Sequence, residues 1–289
     1  MALTTFATPA APPLLVTARP RQWIKNVLVF AAPLAAGVLV RPGSLVALAA
    51  FILASAGTYF VNDASDVAAD RRHPVKSRRP VAAGLVPVRT AWLIGLGLSA
   101  AAPLVAALAG PATAGCVAAY LALTFAYSSG LKRIAVLDIL AVAGGFLLRT
   151  IGGAYAARVP MSSWFLLTAL LGSLFLVTGK RLSELRRDGT GRAVLAGYST
   201  SWLQQTMTMT LTGAVLAYAG WAFDFAGDDS SLPLLGLSLV PFLAALMRYS
   251  LLVSRGDGEA PENLLVSDRF LLVAGFAWAV LVTVAIYFG

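Results

Sequence analysis

Apolar stretches of similar length recur along the chain, near 24 to 40, 45 to 61, 90 to 109, 112 to 128, 136 to 157, 162 to 179, 203 to 224, 232 to 253 and 270 to 288. A membrane-spanning helix needs about 20 mostly apolar residues, so the pattern predicts nine transmembrane helices and leaves little chain for anything else. The connections alternate in character. Arg41-Pro42-Gly43-Ser44 and Gly110-Pro111 are short turns with proline and glycine as helix stops. Two connections, near 62 to 89 and 180 to 202, are long and charged, and a third, about 254 to 269, mixes Asp257, Glu259, Glu262 and Asp268 with Arg255 and Arg269. The expected fold is an all-α polytopic membrane bundle forming one domain over 19–289. Residues 1–18, rich in Ala, Pro and Thr and free of basic residues, are expected to be a mobile tail and not a cleaved signal peptide.

Composition agrees: of 289 residues, 58% are hydrophobic and 12% charged, which excludes an ordinary soluble domain. The formal charge of +9 admits nucleic acid, anionic lipid or a phosphorylated substrate as partner, and position decides among them. With the N-terminus in the cytoplasm, all of the 22 basic residues except Arg41, Arg149 and Arg158 fall on the inner side. The positive-inside rule then places the chain in the plasma (inner) membrane, with the N-terminus and the long charged loops cytoplasmic and the C-terminus outside. No nucleic-acid partner is expected, and formation of a homo-oligomer is left open. A lone cysteine, Cys116, permits neither an intrachain disulfide nor a thiolate metal site.

The strongest chemical signal is Asn62-Asp63-Ala64-Ser65-Asp66-Val67-Ala68-Ala69-Asp70. On one continuous helix Asp63, Asp66 and Asp70, at i, i+3 and i+7, share a face. Three carboxylates repel unless a cation joins them. Mg2+ suits the role, since it binds through one or two carboxylates plus substrate phosphate oxygens. Solvated aspartates would normally alternate with lysine, whereas the i+4 partner of Asp66 is another aspartate. Beyond Pro74 the basic residues Lys76, Arg78 and Arg79 offer charge to the remaining diphosphate oxygens, although positive charge in such a loop also sets topology.

A second run, Lys180-Arg181-Leu182-Ser183-Glu184-Leu185-Arg186-Arg187-Asp188, puts Glu184 and Asp188 on one helix face at the cytoplasmic end of the sixth span. Tyr127 and Lys132 flank the end of the fourth span, where a phenol and an ammonium suit a phosphate as well as an interfacial belt. Arg149 is the one basic residue deep in a span, a functional signal by default, with Asp138 or a backbone carbonyl as the ordinary partner. His73 is the only histidine, so no two-histidine metal site exists.

These residues resemble the UbiA superfamily of intramembrane prenyltransferases, nine-helix proteins with two acidic motifs on cytoplasmic loops, from Arg19 to nearly the end of the chain. Arg19-Pro20-Arg21-Gln22-Trp23-Ile24-Lys25-Asn26, His73-Pro74-x-Lys76-x-x-Arg79-Pro80 and Lys180-Arg181-x-x-Glu184 are most similar to a mycobacterial branch. That branch moves a 5-phosphoribosyl group from phosphoribosyl diphosphate to a polyprenyl (decaprenyl) phosphate, toward the arabinose donor of the cell wall. Many aromatic prenyltransferases carry aspartates in the second motif; here Glu184 stands with an arginine pair, which suits a more anionic donor.

The resemblance implies that Asp63, Asp66 and Asp70, with Asn62, hold magnesium on the diphosphate, assisted by Glu184 and Asp188. Lys76, Arg78, Arg79 and Arg186 then serve the sugar phosphate, and Lys25, Tyr127, Lys132 and Arg149 the lipid phosphate. His73 and Lys180 join the substrate-binding set. The acceptor phosphate is already ionised, so positioning and electrostatics carry catalysis without an enzyme nucleophile, and the isoprenoid tail lies in a lateral groove. The alternatives are an aromatic prenyltransferase of quinone or haem synthesis and a transporter; against the latter, the acids cluster at helix ends and not at the bilayer midplane.

Overall fold

The structure, a computed structural model, describes residues 12–38, 40–187, 193–226, 232–258 and 261–288. Its described residues are arranged as α-helices joined by short 3-10 segments and loops. The helices are α1 (Pro13–Ala18), α2 (Ala31–Ala35), α3 (Pro42–Ser65), α4 (Val67–Asp70), α5 (Val88–Ala107), α6 (Pro111–Ser129), α7 (Leu137–Ala157), α8 (Ser163–Arg186), α9 (Thr200–Ala226), α10 (Leu232–Ser254), α11 (Pro261–Ser267) and α12 (Arg269–Tyr287). Among the described residues seven helices are long and apolar enough to cross a membrane: α3, α5, α6, α7, α8, α10 and α12.

Two of the nine expected spans take a different form. The seventh lies within α9, a 27-residue helix whose first half is rich in Thr and Gln. The first is not one α-helix. Pro20–Phe30 winds as a 3-10 segment and passes into the short α2 around Pro33. Eleven residues is long for a 3-10 run, and packing accounts for it: the backbone of this segment lies against α7 at Gly153, where an added Cβ would fall 1.9 Å from the Val29 carbonyl oxygen. Of the expected tail, residues 13–18 are helical, with Thr17 buried and its hydroxyl donating to the Pro13 carbonyl.

Two packed regions share α7. On one side Val29, Phe51, Val117 and Tyr120 join the N-terminal segment to α3, α5, α6 and α7. On the other Ile139, Phe175, Leu203, Tyr249 and Val253 join α7 to α8, α9 and α10. Small residues set the spacing, as expected where lipid removes the hydrophobic drive between helices. Gly57 of α3 meets Gly95 and Ser99 of α5 so closely that a Cβ there would lie 2.6 Å from the Ser99 hydroxyl. The tight α3–α5 pair fixes the end of α3 that carries the first acidic motif, and α7 and α8 bring up the second.

Gly153→Ala is expected to lower the melting temperature in detergent, with an overpacking cost of about 1–3 kcal/mol. Gly236→Ala in α10, where the added methyl meets nothing within 4 Å, is the control and should hold or slightly raise the melting temperature by differential scanning fluorimetry, since alanine favours the helix.

Candidate active site

The first acidic motif sits where α3 ends. The helix closes at Ser65, Asp66 leaves helical geometry at φ −90° and ψ 4°, and α4 adds one turn. That break alters the expected common face. Asp63 and Asp70 are buried, while Asp66 keeps a side chain 45% exposed and turns toward Lys132, with Nζ 3.9 Å from its Oδ2. The three carboxylates therefore do not converge, and among the described residues no group of three His, Cys, Asp or Glu is placed to hold a metal ion.

Two of them do converge, on a guanidinium. Arg79 Nη1 donates to Asp70 Oδ2 at 2.7 Å and to Asp63 Oδ1 at 3.2 Å, and Arg19 Nη2 donates to the same Asp63 oxygen at 2.6 Å. Arg19 reaches it from a left-handed backbone conformation between α1 and the 3-10 segment, with its guanidinium 4.7 Å above the Tyr59 ring. The loop returning Arg79 is built by local bonds. His73 Nδ1 accepts from the Val75 and Lys76 amides at 3.2 and 3.3 Å, and Arg71 Nε donates to the Ala82 carbonyl at 3.1 Å. His73 thus shapes the turn, while Lys76 and Arg78 lie exposed beside it. Asn62 is half-buried in the last turns of α3, and its carbonyl accepts from the Asp66 amide.

A second charged node is built around Arg181 of α8. Arg181, buried at 2% exposure, donates through Nε to Asp138 at 2.5 Å, through Nη1 to Glu184 at 2.7 Å and through Nη2 to the Tyr127 hydroxyl at 3.2 Å. Tyr198 donates a short hydrogen bond to Asp138, and its oxygen accepts from the Val136 amide at 2.8 Å. Burial first, and then the bond to Asp138, raise the Tyr198 phenol above its usual range, so it remains a proton donor. Val136, at φ 70°, is β-branched in a region that such residues rarely enter. The hydrogen bond from its amide to Tyr198 helps hold that conformation.

Arg149 forms a third node. Eight residues separate Ser55 from Asp63, so its partners lie about 12 Å further along α3. It donates to Asn26 Oδ1 at 2.7 Å, the Gly145 carbonyl at 2.8 Å, the Tyr120 hydroxyl at 2.9 Å and Ser55 Oγ at 3.3 Å. The backbone-carbonyl alternative is the one realised; Asp138 is taken by Arg181. Lys25 donates to Gln22 at 2.5 Å. Lys180 is half-buried on α8. Arg186 points elsewhere: Nη1 caps the Val253 and Ser254 carbonyls at the end of α10, 3.1 and 2.9 Å away, a structural task that the expectation of phosphate binding had not included. Asp188 lies outside the described residues.

Sequence reasoning missed Arg19, Asp138, Arg181 and Tyr198 as site residues. Arg19 and Arg181 stand inside the motifs that carried the resemblance, and Asp138 opens an apolar helix, so each had a visible signal. Tyr198 had none.

Two buried carboxylates drawn to one cationic nitrogen satisfy the donor chemistry of magnesium, which takes one or two carboxylates and completes its shell with phosphate oxygen and water. The residues present fit that ion.

Comparison with known proteins gives the family. The model of a family described as the UbiA prenyltransferase family matches residues 26–271. A decaprenyl-phosphate phosphoribosyltransferase of Corynebacterium glutamicum is 41% identical over 282 residues, covering 93% of this chain and 85% of that protein. The protein of the same name from Mycolicibacterium smegmatis is 42% identical over 295 residues, covering 95% and 92%. Among solved structures, a UbiA homolog from Archaeoglobus fulgidus bound to GPP and Mg2+ superposes with a TM-score of 0.72 at 19% identity, covering 94% of this chain and 98% of that one. That likeness shows the shared fold.

Arg181→Ala strands Asp138 and Glu184 in a buried setting. A loss of about 3–5 kcal/mol is expected from breaking a buried ion pair on one side, read as a lowered urea midpoint in detergent. Arg186→Ala, which removes two capping bonds to backbone carbonyls and strands no buried charge, should cost clearly less.

Proposed function

The chain belongs to the UbiA prenyltransferase family, and from that premise we propose that it transfers 5-phosphoribosyl from phosphoribosyl diphosphate to a decaprenyl or similar polyprenyl phosphate, releasing diphosphate. The reading rests on the names of relatives that match nearly the whole chain, and on one observation: Asp63 and Asp70 are buried at a helix end and drawn to a shared cation. The membrane placement follows from the same family. We place nine spans in the bilayer, counting the broken N-terminal segment and α9, with the acidic ends cytoplasmic and the C-terminus outside. The product belongs to cell-wall arabinan precursor synthesis.

In this reading Asp63 and Asp70 are the magnesium ligands, and Asn62 and Asp66, whose carboxylate turns toward Lys132, flank them in the chain. Bound there, the ion would neutralise charge developing on diphosphate as it departs. Arg19 and Arg79, which neutralise the carboxylates in the free protein, are the nearest cations for the diphosphate oxygens. Lys76 and Arg78 are exposed on the same loop for the sugar phosphate. Lys132, 3.9 Å from Asp66, and Tyr127 with Lys25 serve the acceptor phosphate. Glu184, held by Arg181, contributes from the second motif.

The bond between the anomeric carbon and the diphosphate oxygen breaks with its electron pair leaving on diphosphate. A phosphate oxygen of the acceptor forms the new bond to that carbon from the opposite face. The acceptor is ionised near neutral pH, so no side chain needs to remove a proton. That suits a site with arginines, lysines and acids but only one histidine. What the chain supplies is orientation and preorganised charge.

Purified protein given labelled phosphoribosyl diphosphate, decaprenyl phosphate and Mg2+ should yield an organic-extractable labelled lipid. Asp63→Asn and Asp70→Asn should each lower kcat by about 10²-fold or more, on the scale of removing a key electrostatic group, and chelation by EDTA should abolish turnover. A prenylated aromatic product instead, made from prenyl diphosphate, would establish the aromatic prenyltransferase reading.

A further inference from the structure

A groove of about 490 Å³ runs between α7 and α9 with α8 as its floor, lined by Val136, Leu140, Leu174, Trp202, Met209 and Thr210 among others. Much of its exposed wall is apolar, with Leu140 47% and Met209 66% accessible, and Gln205 and Thr206 add a polar margin. The Thr210 hydroxyl donates to the Thr206 and Met207 carbonyls, so it makes no polar demand on an occupant. From Trp202 to Thr210 the α9 wall extends about 12 Å along the helix.

One end of the groove is built from the second charged node. Trp202 stacks on Tyr198 with ring centroids 5.4 Å apart and an interplanar angle of 20°. The Tyr198 hydroxyl bonds both Asp138 and the amide of Val136, itself a lining residue. Asp138 in turn holds Arg181, which holds Glu184 and Tyr127. A lipid whose phosphate lies among Tyr127, Lys132 and the acidic nodes must send its tail away from that charge, and this apolar trough begins two hydrogen bonds away.

We propose that the α7–α8–α9 groove binds the first isoprene units of the polyprenyl phosphate acceptor. The strained Val136 turn and the Tyr198–Trp202 stack form the gate where headgroup gives way to tail. This rests on the transfer reaction given above and locates its acceptor. Branched, rigid isoprenoid chains match a trough walled by Leu, Met and Trp, and burying them there removes apolar surface from water or from the headgroup layer.

The test uses the full-length protein in detergent with decaprenyl phosphate as acceptor. Leu140→Trp and Met209→Trp fill the groove from opposite walls, and both sites are exposed, so the core is untouched. Each should raise KM for decaprenyl phosphate about ten-fold or more while leaving KM for phosphoribosyl diphosphate within two-fold. A decaprenyl phosphate analogue carrying a diazirine on its second isoprene unit should label wild-type protein within residues 202–210 or 136–140. Unchanged acceptor KM in both variants, or labelling confined to other helices, overturns the groove. An equal rise in both KM values also overturns it, since a structural bilayer lipid would act that way. Should wild-type protein form no labelled lipid product at all, the transfer reading itself fails, and that result is distinct from any of the others.

Discussion

The structure depends on a guanidinium shared between two carboxylates, a device it uses twice. Arg79 ties Asp63 at the end of α3 to Asp70 in α4. Arg181 ties Asp138 at the start of α7 to Glu184 at the end of α8. Acids buried at the ends of apolar helices are tolerable only with such partners. Each pairing also fixes where two chain segments meet. The acids are thereby held close together in the free protein, and the charge that holds them is of the same sign as a metal ion.

That arrangement links the fold to the chemistry. Small residues at Gly57, Gly95 and Gly153 let α3, α5, α7 and the N-terminal 3-10 segment approach at backbone distance. The same approach delivers Arg19 to Asp63 and Asn26 to Arg149. Lys132 reaches Asp66 of the first node, and Tyr127, five residues before it in the chain, is bonded to Arg181 of the second. The proposed reaction requires three phosphate groups to be gathered, and nodes that mix acid and base offer both metal ligands and direct phosphate partners. Arg149 differs in kind: its partners are all neutral, it joins four helical segments, and it lies deeper than the acids.

Much of this was legible in the sequence. Long apolar runs gave the helical class. Asp63 and Asp70 were readable because repeated acids beside a span need a cation. The helical face of Asp66 was misjudged because spacing assumes an unbroken helix, and the backbone departs from helical geometry at that residue. The bonds from Arg186 to the Val253 and Ser254 carbonyls were not legible, because a charged residue in a motif looks the same whether it meets phosphate or caps a neighbouring helix. The pairing of Asp138 with Arg181 spans 43 residues, and the reach of Tyr198 to Asp138 spans 60. No local pattern encodes such contacts. The irregular first segment was hidden because hydropathy reports how apolar a stretch is and not how its hydrogen bonds are arranged.

The central claim is that Asp63 and Asp70 exchange their shared arginine for a divalent ion when the diphosphate substrate arrives. Mn2+ titrated into purified protein with phosphoribosyl diphosphate, and followed by electron paramagnetic resonance, addresses it directly. Saturable binding by the wild-type protein that disappears in the Asp63→Asn, Asp70→Asn double variant, with melting behaviour retained, is the expected result. Equal Mn2+ binding by the two proteins would contradict it.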